Sequence, residues 1–406
     1  EPDDQFVFVS PHYEPDLNDK GLLRVDASDA NPVAFHLVMS TSSALKTLYR
    51  GTVLDVAIVN KVKQRREFTV GSYWNTNSEL HKGKGFQVAN QVGDDTFLLG
   101  KPVLQAAYRL HPFFVLDEQL DRYHSRGLQR PRKPQIYRAP LLLVREGSRQ
   151  DRGRGRALIS DSDLAYSESF CGYSGAEHPQ GNFLIRYLFV VIHSQLFEYA
   201  ALMTSGKFGV EREAFQVLDI DRFPFIPPEI LSNEQRQSIA MCAQQLIDNK
   251  PDWPMLDRTV AQLYGLSSAD QQVVSDTLAI NAPYASARNR GLARITEQLA
   301  SVFDLGGHNV RVQVLNSKSE ALPWRFLSIA LEGATPPLEL PAQWADQAGG
   351  LGVSRITLLS ADRPSLIVGL LNRYRYWTQS QARLLASELI WEFGARLEEL
   401  SQSCED

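Results

Sequence analysis

The chain is organised around one long stretch, which opens with GKGFQ at residues 83–87 and closes with DRFPFIPP at residues 221–228. Short apolar runs separated by Gly and Pro fill its first half, and such runs predict strands. The second half contains NFLIRYLFVVIHSQL at residues 182–196, which predicts a helix of about four turns with Asn182 as its N-cap. Because this helix is apolar on nearly every side, we expect it to be buried.

The run PQIYRAPL at residues 134–141 predicts one of these strands. Arg138 and Arg145 alternate along it, which would place both side chains on one face. The glycines of GKGFQ, Gly83 and Gly85, allow a close backbone approach and a positive φ, although a plain hairpin turn explains them equally well. Other short apolar runs in this half lie at residues 103–106, 113–116 and 141–144.

Helical patterns flank the long stretch on both sides. Residues 44–49 predict a helix, whereas VLDVAIV at residues 53–59 fits either a strand or a buried short helix, because periodicity does not distinguish them. Residues 231–249 predict an amphipathic helix capped by Ser232. Two more helices, separated by a glycine, are predicted at residues 257–264 and 267–278.

The C-terminal part predicts a small α+β unit, set off by a low-complexity break near residues 281–290. Its predicted strands cover residues 310–315, 325–331, 355–359 and 365–370, and its predicted helices cover residues 291–303 and 378–399. The predicted fold class is α+β, with a β-rich domain that contains a buried long helix, a helical linker and a small C-terminal α+β domain. The predicted domain limits are residues 1–65, 66–228, 229–280 and 281–406.

The composition is that of an ordinary globular protein, with 43% hydrophobic and 22% charged residues. No apolar run approaches the roughly 20 residues that a membrane helix needs, and no secretory signal pattern opens the sequence. The three cysteines are too few and too scattered for a disulfide framework or a zinc site. We therefore expect a cytoplasmic protein, and Glu1 at its start indicates a piece of a longer one.

Positive charge is concentrated in one region of a chain that is acidic overall. The net charge is −5, yet residues 121–156 hold eleven Lys and Arg against three Asp and Glu. A local surplus of this kind is typical of a surface that follows a phosphate backbone. A solvated basic loop is the alternative. We expect the cations between GKGFQ and a second glycine-bracketed turn, SGKFG at residues 205–209, to face one concave wall.

Several motifs together resemble the target-recognition region of N6-adenine DNA methyltransferases, especially the single-chain type IIG restriction–modification kind. GKGFQ, PQIYRAPL and SGKFGVER, the last at residues 205–212, stand in the order found in that family. DRFPFIP at residues 221–227 resembles the exit of the recognition domain, and RYRYWTQSQA at residues 373–382 resembles a segment near the end of some members. His193 departs from the asparagine usual in the family, and we interpret it as a core histidine.

The motifs for methyl transfer itself are missing from this sequence. Members of the family bind S-adenosylmethionine with a Gly-rich turn and hold the flipped adenine with an Asn/Asp-Pro-Pro-Tyr/Phe motif, whereas the Pro-Pro pairs here follow Ile226 and Thr335. The resemblance therefore implies a part that recognises double-stranded DNA, binds no cofactor and transfers no methyl group alone. S-adenosylmethionine would bind to a catalytic segment or subunit elsewhere in a restriction–modification or phage-defence system.

Lysine and arginine side chains are the DNA contacts that the resemblance and the charge pattern imply, because they bind phosphates and guanine edges. No catalytic and no metal-binding residue is predicted. The predicted DNA contacts are Lys82, Lys84, Arg130, Arg132, Lys133, Arg138, Arg145, Arg152, Arg154, Lys207 and Arg212.

Two other functions stay open at this stage. A protein-interaction scaffold without DNA contact would use aromatic anchors, and its candidates are Phe113, Phe114, Tyr374, Tyr376 and Trp377. We favour a core role for Tyr376 and Trp377, at the start of a helix. A divergent magnesium nuclease would need clustered carboxylates with a lysine, and its candidates are Asp219 with Asp221, or Glu14, Asp16 and Asp19 with Lys20.

Overall fold

The computed structural model describes the greater part of the chain, in which helices and strands are mixed, as expected for an α+β protein. Contacts divide the chain into two compact units, Val53–Gln271 on the one hand and Glu1–Thr52 with Gln272–Asp406 on the other. The described residues are 4–11, 21, 25, 29–65, 67–88, 93–124, 128–145, 154, 157–206, 216–281, 310–315, 324–331, 355–361, 363–371 and 374–403.

The elements are numbered here in chain order. The strands are β1 (Gln5–Val9), β2 (Ala30–Ala34), β3 (Phe68–Thr69), β4 (His81–Lys84), β5 (Gln87–Val88), β6 (Val103–Leu104), β7 (Leu128–Arg130), β8 (Leu141–Arg145), β9 (Ala157–Ser160), β10 (Ala165–Tyr166), β11 (Phe170–Ser174), β12 (Pro224–Phe225), β13 (Arg311–Leu315), β14 (Trp324–Ala330), β15 (Arg355–Leu359) and β16 (Ser365–Leu371). The helices are α1 (Phe35–Ser40), α2 (Ala44–Arg50), α3 (Val53–Gln64), α4 (Val70–Thr76), α5 (Gly181–His193), α6 (Gln195–Thr204), α7 (Val217–Asp221), α8 (Asn233–Ile247), α9 (Trp253–Leu263), α10 (Ser268–Asn281) and α11 (Gln379–Ser403).

The unit Val53–Gln271 is built on a four-stranded antiparallel sheet in the order β4-β11-β8-β9. Strands β9 and β11 are buried along their whole length, and so is the LLLV run of β8. Continuous apolar runs of this kind need cover on both faces of a sheet. Helix α5 packs against β8, β9 and β11. The strand expected at residues 141–144 and the burial of the long apolar helix are both confirmed.

The strand predicted at residues 134–141 is wrong over its first half. Pro134–Tyr137 forms a 3-10 turn in which Pro134 occupies the first position, where its fixed φ favours a helical start. Arg138 follows this turn, whereas Arg145 ends β8. The two arginines therefore do not share one face of a strand.

The apolar run at residues 182–196 forms two helices instead of one. Gln180 is the N-cap of α5, so the prediction of Asn182 as the cap is wrong. Helix α5 ends where Ser194 takes extended backbone, and the Ser194 hydroxyl then accepts a hydrogen bond from the Phe197 amide at 3.2 Å to start α6. Serine competes for backbone hydrogen bonds in this way, which favours caps over helix interiors.

His193 is a core residue, as interpreted from the sequence. Its ring is buried, and Nδ1 lies 2.8 Å from the carbonyl oxygen of Phe189. The ring also meets Phe113 edge to face at 5.4 Å between centroids. Phe113 is itself buried, so it is not available as an anchor for a partner protein.

The run at residues 53–59 is helical and forms the first part of α3. Asp55 on this helix is buried and accepts a hydrogen bond from the Tyr199 hydroxyl at 2.9 Å. Burial raises the pKa of Tyr199 well above its ordinary value, and the nearby Asp55 carboxylate adds to the effect. The phenol of Tyr199 therefore stays neutral, and its hydrogen bond to Asp55 joins α3 to α6.

The helices predicted after the prolines are confirmed as α8, α9 and α10. Ser232 caps α8, and Gly265 separates α9 from α10 with a φ of 69°. Helix α9 begins at Trp253, earlier than predicted, because the Asp252 side chain caps it by accepting from the Met255 amide at 3.0 Å.

Two glycines let Tyr166 cross close to the sheet. A Cβ at Gly85 would lie 2.0 Å from the Tyr166 carbonyl oxygen, and a Cβ at Gly172 would lie 1.9 Å from the Tyr166 hydroxyl. That hydroxyl donates to the Ile136 carbonyl at 2.8 Å. The close approach predicted for GKGFQ is confirmed at Gly85, but the positive φ is not, since neither Gly83 nor Gly85 has one.

The C-terminal strands form a second antiparallel sheet in the order β13-β14-β16-β15, and α11 shares its core. The four predicted strands are confirmed to within one residue at each end. Trp377 is fully buried and its indole donates to the Leu371 carbonyl at 2.9 Å, which confirms its core role. The helix predicted at residues 291–303 lies outside the described residues.

Cys171 on β11 and Cys242 on α8 are free thiols, and both are buried. Among the described helices, none combines the length and the apolar character needed to cross a bilayer.

Candidate nucleic-acid interface

The predicted DNA contacts fall into three groups in the structure. Arg152, Lys207 and Arg212 lie outside the described residues. Lys82, Arg138, Arg145 and Arg154 are engaged with other parts of the protein. The remaining four are brought together where β5 meets β7, and we call them the basic cluster: Lys84, Arg130, Arg132 and Lys133.

Pairing of two short strands assembles the basic cluster. Gln87 on β5 lies opposite Arg130 on β7. Two residues further on, Arg132 Nε donates to the carbonyl oxygen of Gly85 at 3.3 Å. Lys84 directly precedes Gly85, so residues 130–133 run alongside residues 84–87.

The backbone at Arg132 is held in an unusual conformation. Its φ is 73°, in the left-handed region that costs a non-glycine residue roughly 1–2 kcal/mol. The neighbouring Pro131 carbonyl accepts a hydrogen bond from the Tyr137 hydroxyl at 2.8 Å, which fixes the turn from within the core. Burial raises the pKa of Tyr137, and the charge of Arg132 opposes this shift. A strained residue held in this way is a common feature of functional sites.

The basic cluster is accessible to solvent, and three of its four cations lack a carboxylate partner among the described residues. Lys84, Arg130 and Lys133 are exposed, and Arg132 is partly exposed. Within the described residues, Arg130, Arg132 and Lys133 form no ion pair with a carboxylate. These three cations lie within four consecutive residues and thus span at most about 10 Å of chain.

Lys82 and Arg138 are tied to carboxylates instead. Lys82 Nζ lies 2.7 Å from Asp221 Oδ1, and both side chains are largely buried. The same carboxylate oxygen accepts from the Tyr173 hydroxyl at 3.1 Å. Arg138 Nη1 lies 2.7 Å from Glu177 Oε1. The charge of each cation is therefore matched by an acid at short range.

Arg154 is the only described residue of the segment 146–156. Its Nη1 lies 2.8 Å from Asp257 Oδ1 on α9, and its guanidinium lies 4.7 Å from the ring centre of Trp253. The same Asp257 oxygen accepts from the Gln195 amide at 2.8 Å. Burial raises the pKa of Asp257, while the hydrogen bond from Gln195 and the charge of Arg154 act against the rise.

Arg145 is held by a hydrogen bond and by packing against an aromatic ring within the same unit. Its Nη2 donates to the Tyr108 carbonyl at 3.3 Å, and its guanidinium lies 5.4 Å from the Phe170 ring centre. Contrary to the expectation of one continuous cationic wall, several of the predicted contacts are thus engaged in packing or ion pairing. Among the predicted contacts that the structure describes, Arg130, Arg132 and Lys133 form no ion pair with a described carboxylate.

The carboxylates proposed for a nuclease have other roles. Asp219 Oδ2 accepts from the Gln216 amide at 2.9 Å and so completes the start of α7. Asp221 binds Lys82 and Tyr173, as described above. Among the described residues, no group of three or more His, Cys, Asp or Glu is placed to hold a metal ion. The second candidate set, around Asp16, lies outside the described residues.

Sequence reasoning missed two arginines that line a cleft in the same unit, Arg186 and Arg236. A signal for the first was present, because Arg186 is the only charged residue in the apolar run at residues 182–196. An arginine in such a run must reach a polar partner or a cleft. Arg236 gave no such signal, since it lies on an amphipathic helix among other polar residues.

No protein-family model matches the chain, and no curated protein matches it. A chain in a solved structure described as "Structural basis underlying complex assembly and conformational transition of the type I R-M system" aligns with 58% of this chain at 11% identity and a TM-score of 0.24. This chain spans about half of that one, 54% of its length. A TM-score this low does not establish a common fold.

Proposed function

We propose that this protein binds double-stranded DNA through the basic cluster and serves as the target-recognition part of an adenine-specific N6 DNA methyltransferase of a restriction–modification system. The observation that carries the proposal is that residues 130–133 run alongside residues 84–87, which places Lys84, Arg130, Arg132 and Lys133 on neighbouring segments. Methyl transfer and S-adenosylmethionine binding are assigned to another segment or subunit, because the chain lacks the motifs for both.

The spacing of the cluster suits a phosphate backbone. One DNA strand presents a phosphate about every 3.4 Å along the helix axis. A segment of up to about 10 Å is long enough for its cations to contact more than one phosphate of a strand. A rigid turn at Arg132 supports this role, because side chains that are already oriented lose less entropy on binding.

The short range of electrostatics in salt supports binding by an acidic protein. The acidic residues that make the net charge −5 are distributed over a chain of 406 residues. At physiological ionic strength, charges separated by more than about 8 Å are largely screened from one another. A DNA phosphate at the cluster therefore interacts mainly with the nearby cations and little with remote carboxylates.

The salt dependence of DNA binding tests the proposal. We expect the double variant R130A/K133A to reduce the slope of log affinity against log salt concentration by about 1.8, since each phosphate contact contributes about 0.9. Fluorescence anisotropy with a labelled random duplex, measured between low and moderate salt, gives this slope. Arg132 is left intact because its hydrogen bond and its φ link it to the fold.

The matched control removes the same charge elsewhere in the unit. Lys250 and Arg258 are exposed residues that follow α8 and lie on α9, respectively. We expect K250A/R258A to leave the slope unchanged. Equal slopes for wild type and R130A/K133A would exclude the basic cluster from the interface, and absence of any DNA binding at low salt would refute the proposed function.

A further inference from the structure

A second cationic feature lies in a cleft of about 460 Å³ beside the first turn of α5 and helix α8. The cleft is largely open to solvent, so a bound small molecule would keep part of its surface exposed. It shares no residue with the basic cluster. The residues that line it are Pro179, Gln180, Asn182, Phe183, Arg186 and Arg236.

Arg236 on α8 is held in place by neutral groups alone. Its Nη1 donates to Gln180 Oε1 at 3.2 Å and its Nη2 donates to the Pro228 carbonyl at 2.5 Å. Its guanidinium lies 5.0 Å from the ring centre of Phe183. These contacts fix the side chain without neutralising it, so within the described part of the chain the positive charge of Arg236 has no carboxylate partner.

Arg186 on α5 adds a second guanidinium, which is only loosely held. Its Nη2 lies 3.3 Å and 3.2 Å from the two carboxylate oxygens of Asp161, whose side chain is 51% exposed. Ion pairs with a partner so open to water contribute little. Its Nη1 is buried and has no acceptor among the described residues. A rotation of the guanidinium toward the cleft would give these donors a partner at little cost in ion pairing.

We propose that this cleft binds a nucleoside monophosphate, with the phosphate held by Arg236 and Arg186. Guanidinium groups bind phosphate oxygens in pairs of parallel hydrogen bonds, and two of them supply the charge that a phosphate dianion requires. The first turn of α5 adds to the same potential, because the side chain of its N-cap Gln180 makes no capping hydrogen bond. Beside the phosphate position, the partly exposed ring of Phe183 and Pro179 offer apolar surface to the nucleoside.

Isothermal titration calorimetry with the full chain tests this proposal. AMP is the probe, and adenosine and inorganic phosphate are the comparison ligands. We expect AMP to bind, inorganic phosphate to bind more weakly and adenosine to give no measurable heat. R236Q should weaken AMP binding at least tenfold, whereas R258Q, on the exposed face of α9, should bind AMP as wild type does.

A second variant guards against misfolding of R236Q, whose contacts to Gln180 and Pro228 are structural. Asn182 is exposed at the start of α5, where an added carboxylate favours the helix. N182D should therefore fold at least as well as wild type and still weaken AMP binding by charge repulsion. Undiminished AMP affinity in N182D and R236Q, or equal heats for AMP and adenosine, would overturn the phosphate site.

The phosphate could also belong to DNA instead of a free nucleotide, and one more measurement separates these sources. We expect R236Q to keep the wild-type slope of DNA affinity against salt, since the basic cluster is intact. No AMP binding together with a shallower DNA slope in R236Q would assign the cleft to the DNA interface and overturn the nucleotide proposal. Because R130A/K133A leaves the cleft unchanged, failure of the DNA proposal and failure of the nucleotide proposal give different results.

Discussion

At the scale of single residues, the two glycines of GKGFQ differ in how much space surrounds them. A Cβ at Gly85 would lie 2.0 Å from the carbonyl oxygen of Tyr166, a backbone atom that cannot move alone. A Cβ at Gly83 would meet only the Ile136 side chain, at 3.4 Å. Packing therefore requires glycine at position 85, whereas position 83 has room for a larger side chain.

We expect Gly85→Ala to lower the free energy of unfolding by at least about 2 kcal/mol, because overpacking against backbone forces neighbouring segments apart. Gly83→Ala, in the same motif, should change it by no more than about 1 kcal/mol and in the stabilising direction, since alanine restricts the unfolded chain. Urea unfolding followed by circular dichroism measures both. Similar losses for the two variants would contradict the packing found at Gly85.

The ion pair of Arg154 with Asp257 gives stability that depends on pH. Burial raises the folded pKa of Asp257 above its ordinary 3.8. Ionisation of Asp257 therefore lowers the free energy of unfolding as pH rises through that range. Arg154 lowers this cost, because its charge and hydrogen bond favour the ionised form. Without Arg154 the folded pKa of Asp257 would rise further.

We therefore expect Arg154→Ala to destabilise the protein by about 1.5–3 kcal/mol at neutral pH, the range for a hydrogen bond to a charged group. The loss should shrink as pH falls through the folded pKa of Asp257, since a protonated carboxyl needs no cation. Unfolding curves of both proteins at several pH values measure the difference. Arg396→Ala, which removes the exposed pair with Glu399, should show a smaller loss, and a pH-independent loss in Arg154→Ala would contradict the linkage.

At the scale of elements, the break between α5 and α6 depends on one hydroxyl. Ser194 Oγ accepts from the Phe197 amide at 3.2 Å and donates to the Val191 carbonyl at 2.7 Å. Ser232 plays the same part for α8, where its hydroxyl accepts from the Gln235 amide at 3.2 Å. The two caps differ in surroundings, because Ser194 is buried and Ser232 is exposed.

We expect Ser194→Ala to cost about 1–2 kcal/mol of unfolding free energy and Ser232→Ala about 1 kcal/mol or less. Water can replace the lost hydroxyl at the exposed cap but not at the buried one. Chemical unfolding of the two variants beside wild type gives the comparison. A larger loss in Ser232→Ala would show that burial does not determine the cost of these caps.

Elements were predicted well from the sequence where local patterns decide them. The capped helix α8 and the four C-terminal strands follow from caps, turn residues and apolar runs. Predictions failed where two local signals compete in the same segment. The apolar run at residues 182–196 gave no sign that Ser194 would end the helix, and PQIYRAPL could not show that Pro134 starts a 3-10 turn.

The candidate site was predictable only in part, because the accessibility of its cations depends on long-range contacts. The excess of Arg and Lys near residues 121–156 identified the region of the basic cluster, because charge density is visible in the sequence. Which cations remain accessible was not predictable. Lys82 and Asp221, and Arg154 and Asp257, are far apart in the chain and meet only in the folded protein.

At the scale of the whole molecule, contacts separate a unit that contains the basic cluster from the remainder of the chain. The unit Val53–Gln271 has its own buried sheet, helices and aromatic core. A domain of about 220 residues can bury enough apolar surface to fold alone. The DNA contacts proposed here all belong to this unit.

We therefore expect a fragment of residues 53–281, which keeps α10 whole, to unfold cooperatively and to bind DNA with the same salt slope as the full chain. Thermal melts followed by circular dichroism and anisotropy titrations measure the two properties. A fragment that melts without a cooperative transition would contradict independent folding. A folded fragment with a shallower slope would mean that the remainder of the chain contributes phosphate contacts.

Both described thiols are buried, so the rate at which each one is alkylated reports local opening of the structure around it. Cys171 lies within the sheet strand β11 and Cys242 within α8, so an alkylating reagent reaches each only when its surroundings open. In a C404S background, the labelling rates of Cys171 and Cys242 compare local opening around β11 with local opening around α8. Ligands that bind the native state reduce such opening. Labelling in the presence of duplex DNA or AMP would therefore show whether each ligand stabilises the surroundings of β11 or those of α8.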